Sequence, residues 1–196
     1  MKNSKIHRVC VYCGSSPGSE PEFTHDAAVL GKLLAQNNIE LVYGGASIGV
    51  MGAVANSVLE NGGNVTGVIP HGLFKREVAH NSLTKLLVVD SMHERKALMA
   101  QLSDAFITLP GGFGTLEELF EMITWTQLGI HQKPIFLLNT LNFYDPLAQF
   151  IDGITEKGFI RPTEKKLFTI QSTPQEIVED ILHKHVHDVK NPALNP

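Results

Sequence analysis

Ala105-Phe106-Ile107-Thr108-Leu109-Pro110-Gly111-Gly112-Phe113-Gly114-Thr115-Leu116-Glu117-Glu118 is the stretch on which the fold turns. A short apolar run has the length of a buried strand, a glycine-rich turn follows it directly, and an amphipathic helix opens after the turn. Glycines let the backbone turn tightly and bring its N–H groups close to a ligand. The helix start adds unpaired N–H donors and a partial positive charge. Together they build an anion site, and phosphate is the natural guest. No Gly-Lys-Ser or Gly-Lys-Thr follows the glycines, so the lysine for a β/γ-phosphate and the hydroxyl for magnesium are missing. A monophosphate or sugar phosphate fits better than ATP.

The same strand-to-helix alternation recurs on both sides. Arg8 to Tyr12, Glu40 to Tyr43, Asn64 to Ile69, Lys85 to Val89, Ala105 to Leu109 and Pro134 to Leu138 read as strands. Stretches near residues 22–37, 48–61, 92–102, 115–128 and 146–157 have helix lengths. Thr173 as N-cap, Pro174 and Glu176 announce one more helix. Right-handed crossovers make such a sheet parallel. The expected architecture is α/β: a single-domain, Rossmann-like, doubly wound parallel sheet with helices on both faces, spanning residues 1–196, with a flexible tail over 188–196.

In such a sheet the ligand crevice lies at the carboxyl ends of the strands, where the winding direction reverses. Three turns of small residues converge there: Gly14-Ser15-Ser16, the run from Gly44 to Gly52, and the glycines after Leu109. Ser15, Gly44 and Gly45 are therefore candidate ligand contacts beside Gly111, Gly112 and Gly114. Gly49 and Gly52 are read as serving tight turns and close helix packing instead. A nicotinamide cofactor is disfavoured: no G-x-G-x-x-G follows the first strand, and the second ends in Tyr43-Gly44 without an acidic residue for a ribose hydroxyl.

At 196 residues, 43% hydrophobic, the chain is long enough for one well-cored domain. A net charge of −4 without long runs of like charge argues against nucleic acid or an anionic membrane as partner. The apolar stretch from Val9 to Cys13 is too short for a secretory signal and no run approaches a membrane span, so a cytoplasmic protein is expected. The two cysteines, Cys10 and Cys13, have C-x2-C spacing but lack a second pair, and a structural role is expected for them. His183, His185 and His187 read as a solvated, frayed helix end rather than a metal site.

Two side chains look chemical. Ser91-Met92-His93-Glu94 has the form of a capping box, which puts Arg95 and Lys96 in the first helical turn. Cations there oppose the helix dipole by roughly 0.3 to 1 kcal/mol each. Arg95 either reaches an anionic ligand with its forked donors or pairs at the surface, with Glu94 a candidate partner. Glu118 also has two readings. With Thr115 it has the S/T-x-x-E form of a residue that caps its own helix; equally, it stands behind the phosphate loop, where a carboxylate can stabilise an oxocarbenium ion or orient water. Glu117 falls on another face with Glu121 and Thr124. Leu116, Leu119, Phe120 and Ile123 form the stripe expected to enter the core.

Val9-Cys10-Val11-Tyr12-Cys13-Gly14-Ser15-Ser16, Tyr43-Gly44-Gly45, Met92-His93-Glu94-Arg95-Lys96 and the segment from Pro110 to Glu118 together resemble the LONELY GUY (LOG) family of cytokinin riboside 5'-monophosphate phosphoribohydrolases. The resemblance runs from about residue 6 to residue 185. It implies hydrolysis of the N-glycosidic bond of a nucleoside 5'-monophosphate to a free adenine-type base and ribose 5-phosphate, with no metal or organic cofactor. It also implies Arg95 and Glu118 as the catalytic pair, Gly111, Gly112, Gly114 and Thr115 as the phosphate loop, Glu77, Lys96 and Thr124 as further ligand contacts, and a homodimer with pockets near the subunit interface. Phe113 stands where relatives often have tyrosine. Relatives of this fold have been labelled lysine decarboxylases, a pyridoxal-phosphate activity, yet nothing here marks a Schiff-base lysine. Others act as molybdenum-cofactor carriers, the alternative from another functional class. Base preference, AMP against N6-modified nucleotides, rests on pocket shape rather than on the phosphate loop.

Overall fold

The structure, a computed structural model, describes residues 3–73, 79–183 and 185–187. Its elements in chain order begin with β1 (Asn3–Lys5), β2 (Arg8–Tyr12), α1 (Pro21–Gln36), β3 (Glu40–Tyr43), α2 (Gly49–Glu60), β4 (Val65–Pro70) and β5 (Lys85–Val89). They continue with α3 (Met92–Leu102), β6 (Ala105–Thr108), α4 (Phe113–Gln127), β7 (Ile135–Leu138), α5 (Asp145–Glu156), β8 (Thr169–Gln171), α6 (Pro174–His183) and β9 (His185–His187). Short 3-10 turns lie at Thr140–Asn142 and Pro162–Leu167.

Seven strands form one parallel sheet in the order β5-β4-β3-β2-β6-β7-β8. Winding runs outward from β2 through β3 to β4, then reverses at β6, so the switch point lies between β2 and β6. All six strands read from the sequence are present, and the expected doubly wound α/β class is the one observed. The structure adds β8, a half-buried edge strand of three residues, too short and too weakly apolar to announce itself.

Strand periodicity divides the core in two. Val9, Val11 and Cys13 face one side with Leu30, Leu34, Val54, Val58 and Ile177 from α1, α2 and α6. Cys10 and Tyr12 face the other with Met99, Leu119 and Met122 from α3 and α4. Because period 2 places residues three apart on opposite faces, the two thiols lie in separate halves of the core, both buried and free. The structural role expected for them holds. Burial drives both thiols far above their ordinary pKa.

Two expectations are corrected. Phe120 does not enter the core: it is 38% exposed, whereas Leu119 is fully buried and Leu116 and Ile123 pack partly against it. The helix starts at Phe113, and its buried residues are Thr115, Glu118, Leu119 and Met122, which turns Phe120 outward. His183 ends α6 as expected, but His185 and His187 belong to β9, which pairs antiparallel with β1. A free N-terminal strand supplies the backbone partners that a frayed helix end would lack. The tail expected over 188–196 lies outside the described residues. Among the described residues, no helix is long and apolar enough to cross a membrane.

Candidate functional site

The ladder between β2 and β6 sets Cys10 opposite Phe106 and Tyr12 opposite Thr108, and it continues past the strands. Leu109 N donates to Tyr12 O at 2.9 Å and Gly14 N to Pro110 O at 3.1 Å. The first and third small-residue turns are thereby stitched together at the switch point. They meet so closely that a Cβ on Gly111 would stand 2.8 Å from Gly14 N and 2.2 Å from Thr115 Oγ1. Tyr144 reinforces the junction from below, its hydroxyl donating to Leu109 O at 2.7 Å.

The helix that follows is left open at its start. Gly112 is the N-cap of α4, no side chain caps it, and its first turn has no acidic residue. This settles one ambiguity: Thr115 sits inside the helix rather than at its cap, so Glu118 is not the partner of a capping box. Gly112 and Gly114 have nothing within 4 Å of where a Cβ would be, and neither has the positive φ that would demand glycine. The protein's own packing does not account for these two glycines.

In front of this helix end lies a cavity of about 290 Å³ lined by Cys13, Gly14, Ser15, Met51, Leu73, Met92, Arg95, Gly112 to Thr115, Glu117 and Glu118. Arg95 and Glu118, from α3 and α4, are brought together on it. Arg95 is 4% exposed, so the alternative of surface pairing with Glu94 fails: Glu94 instead accepts from Asp90 N at 2.9 Å, while Ser91 Oγ caps the helix by accepting from Glu94 N at 3.1 Å. Arg95 Nη2 donates to Gly44 O at 3.1 Å. A Cβ on Gly44 would lie 2.0 Å from that nitrogen, so a side chain there would displace the guanidinium from its place across the second turn. Glu118 is 8% exposed and sits one turn inside α4.

Other expected contacts fall elsewhere. Gly45 supports the neighbouring loop, its carbonyl accepting from His80 N at 3.0 Å. Thr124 is exposed on α4 away from the cavity. Lys96 is buried, but its Nζ lies 2.5 Å from Glu117 Oε1 and 3.1 Å from Glu121 Oε1, outside the cavity lining. Burial pulls its pKa down, yet the two carboxylates outweigh this and leave it raised. Glu77 lies outside the described residues. Cys13, Met51, Leu73 and Met92 line the cavity without having been singled out as contacts. Met92 had one usable signal, three residues before Arg95 and hence on its helical face.

A second cavity of about 290 Å³ lies at the amino edge of the sheet, lined by residues such as His7, Arg8, Glu40 and Asn64. Its glycines, Gly62 and Gly63, follow the C-terminal end of α2, and no helix start lines it, so the carboxyl-edge cavity is the functional candidate.

The model of a family described as "Possible lysine decarboxylase" matches residues 51–181. The cytokinin riboside 5'-monophosphate phosphoribohydrolase LOG3 of Arabidopsis thaliana is 49% identical over 181 residues, 92% of this chain and 84% of the relative. The enzyme LOG of Oryza sativa subsp. japonica, of the same description, is 49% identical over 177 residues, 90% of this chain and 73% of the relative. Among solved structures, the molybdenum cofactor binding protein of Rippkaea orientalis matches with a TM-score of 0.69 at 23% identity, covering 92% of this chain and 96% of that one, a likeness of fold. Among the described residues no lysine lines the cavity. With about half its residues identical to those of these enzymes over nine-tenths of its length, the chain belongs to the LOG family of cytokinin riboside 5'-monophosphate phosphoribohydrolases.

Proposed function

We propose that the protein hydrolyses the N-glycosidic bond of cytokinin riboside 5'-monophosphates, and of AMP, to an adenine-type base and ribose 5-phosphate. The observation that carries this reading is the joint lining of one cavity by Arg95, Glu118 and an uncapped helix start bearing Gly112 and Gly114. The phosphate takes the N–H groups at the start of α4, with Thr115 beside it, and Ser15 closes the edge of the site. Anchoring the phosphate fixes the ribose, and orientation of this kind can lower a barrier by several kcal/mol. The bond from C1' to the base nitrogen breaks, positive charge develops on the sugar, and the Glu118 carboxylate stabilises it or directs water to C1'. Water supplies oxygen to C1' and a proton to the departing base. Arg95 binds phosphate, orients Glu118 or assists the base.

The chemistry needs no metal or organic cofactor. A cytoplasmic location belongs to the same reading, supported by a substrate that is a charged nucleotide and does not cross bilayers unaided. A homodimer is part of the same reading, supported by three apolar residues near the cavity mouth and on α4: Phe113 is 93%, Met92 42% and Phe120 38% exposed. Sedimentation analysis at micromolar concentration checks this.

The decisive test incubates purified protein with AMP and, separately, with isopentenyladenosine 5'-monophosphate, and quantifies free base, with Glu118→Gln as control. Glu118→Gln is expected to lose about 1,000-fold or more in turnover while still binding nucleotide. Full activity in that variant would refute the catalytic assignment. Nucleotide binding without release from either substrate would favour a carrier.

A further inference from the structure

Four residues of α3 are buried, and two of them, Arg95 and Lys96, are cations in its first turn. They are adjacent in sequence, so they leave the helix about 100° apart and meet different neighbours. Arg95 crosses Gly44 to the cavity. Lys96 turns to α4 and engages Glu117 and Glu121 through its Nζ.

Glu117 and Glu121 stand one turn apart on a single face of α4, an arrangement in which like charges repel. The ammonium between them relieves that repulsion and ties them to α3. Its side chain is 8% exposed and that of Glu121 24%, so solvent screens this pair far less than a surface pair. Glu118 follows Glu117 directly and points about 100° away from it, into the cavity. Whatever fixes Glu117 about the axis of α4 therefore fixes the aim of Glu118.

We propose that Lys96 is a positioning residue which, by clamping Glu117 and Glu121, sets the rotation of α4 and its spacing from α3, holding Glu118 and Arg95 in place on their shared cavity. The inference rests on the hydrolase reading and departs from the family resemblance, which makes Lys96 a ligand contact. A ligand contact acts on affinity. A brace acts on turnover, because a shift of about 1 Å in a catalytic group can cost 100-fold in rate while the phosphate stays anchored at the helix start.

The test uses the full chain and three variants, Lys96→Met, Lys96→Arg and Glu121→Gln, with steady-state kinetics on the better nucleotide substrate and calorimetric titration of the product ribose 5-phosphate. Lys96→Met is expected to lower kcat by about 30-fold, with KM and ribose 5-phosphate affinity within about threefold of wild type. Lys96→Arg, whose fork can reach both carboxylates, restores most of kcat. Glu121→Gln lies outside the cavity lining, keeps one arm of the clamp and lowers kcat by about threefold. It decides the matter if Lys96→Met does not fold. A raised KM and weakened ribose 5-phosphate binding with kcat preserved overturns the brace in favour of direct contact. Wild-type kcat in Glu121→Gln or Lys96→Met also overturns it. A wild-type chain that releases no base sinks the hydrolase reading itself, whereas an active wild type with insensitive variants sinks the brace alone.

Discussion

Among the described residues, two helices begin after glycine turns at the carboxyl edge of the sheet, and they differ in what meets their first N–H groups. At α2, the first N–H groups are consumed by the chain: Val50 N donates to Ser16 O at 3.4 Å and Met51 N to Gly14 O at 3.2 Å. Its glycines are required by contact. A Cβ on Gly49 would stand 2.4 Å from the Ser15 carbonyl, and one on Gly52 2.2 Å from Ser47 O. At α4 the corresponding positions, Gly112 and Gly114, face open space, and no side chain caps the helix. Similar sequence thus serves two roles in the proposed function: α2 closes the fold upon itself, and α4 keeps its donors for the phosphate.

The largest test of that contrast is Gly49→Ala. Gly49 has φ +61°, a conformation costly for alanine, and the intruding methyl meets backbone that cannot swing away. A loss of about 3 kcal/mol is expected, seen as a fall of roughly 6–12 °C in Tm. Gly112→Ala should leave Tm within about 2 °C of wild type and weaken AMP binding about tenfold, since its methyl enters the space the phosphate needs. If calorimetry instead found Gly112→Ala as destabilised as Gly49→Ala, the distinction between the two helix starts would be lost. Ser91→Ala removes the cap that α3 has and α4 lacks, and should cost about 1 kcal/mol in denaturant unfolding with little change in AMP affinity. The smallest effect has the opposite sign: Gly114→Ala, in the first turn of α4, should stabilise the protein by about 0.5 kcal/mol while reducing phosphate affinity.

The contrast also explains what was legible in the sequence. The strands of the main sheet are short apolar runs with turns at their ends, and all but the edge strand β8 declared themselves. β1 and β9 hold each other by antiparallel backbone pairing, which carries no apolar signature to read from either segment. For the site, the glycines after Leu109 and the unusual cations at Arg95 and Lys96 were visible because each breaks a local rule: too much flexibility at a helix start, and charge of the wrong sign. Their destinations were not. That Arg95 turns to Gly44 and Lys96 to Glu117 and Glu121 depends on how α3 packs beside α4, which local sequence does not contain. Glu118 shows the finest limit. Moving the helix start from Thr115 to Phe113 changes it from a capping residue to a cavity residue, a distinction of two positions.

The three-residue separation of Cys10 and Cys13 makes the protein its own opening gauge. Each thiol reports on one side of the sheet, since Cys10 sits wholly inside the half of the core under α3 and α4, while Cys13 also lies against the cavity wall at 2% exposure. An alkylating reagent can reach Cys10 only when that half separates from the sheet, whereas a smaller parting of the β2 and β6 turns admits it to Cys13. Timed labelling read by mass spectrometry therefore resolves breathing of the mouth from collapse of the whole, without adding a probe, and a molecule seated at α4 should slow the first while scarcely touching the ratio of labels lost in the second.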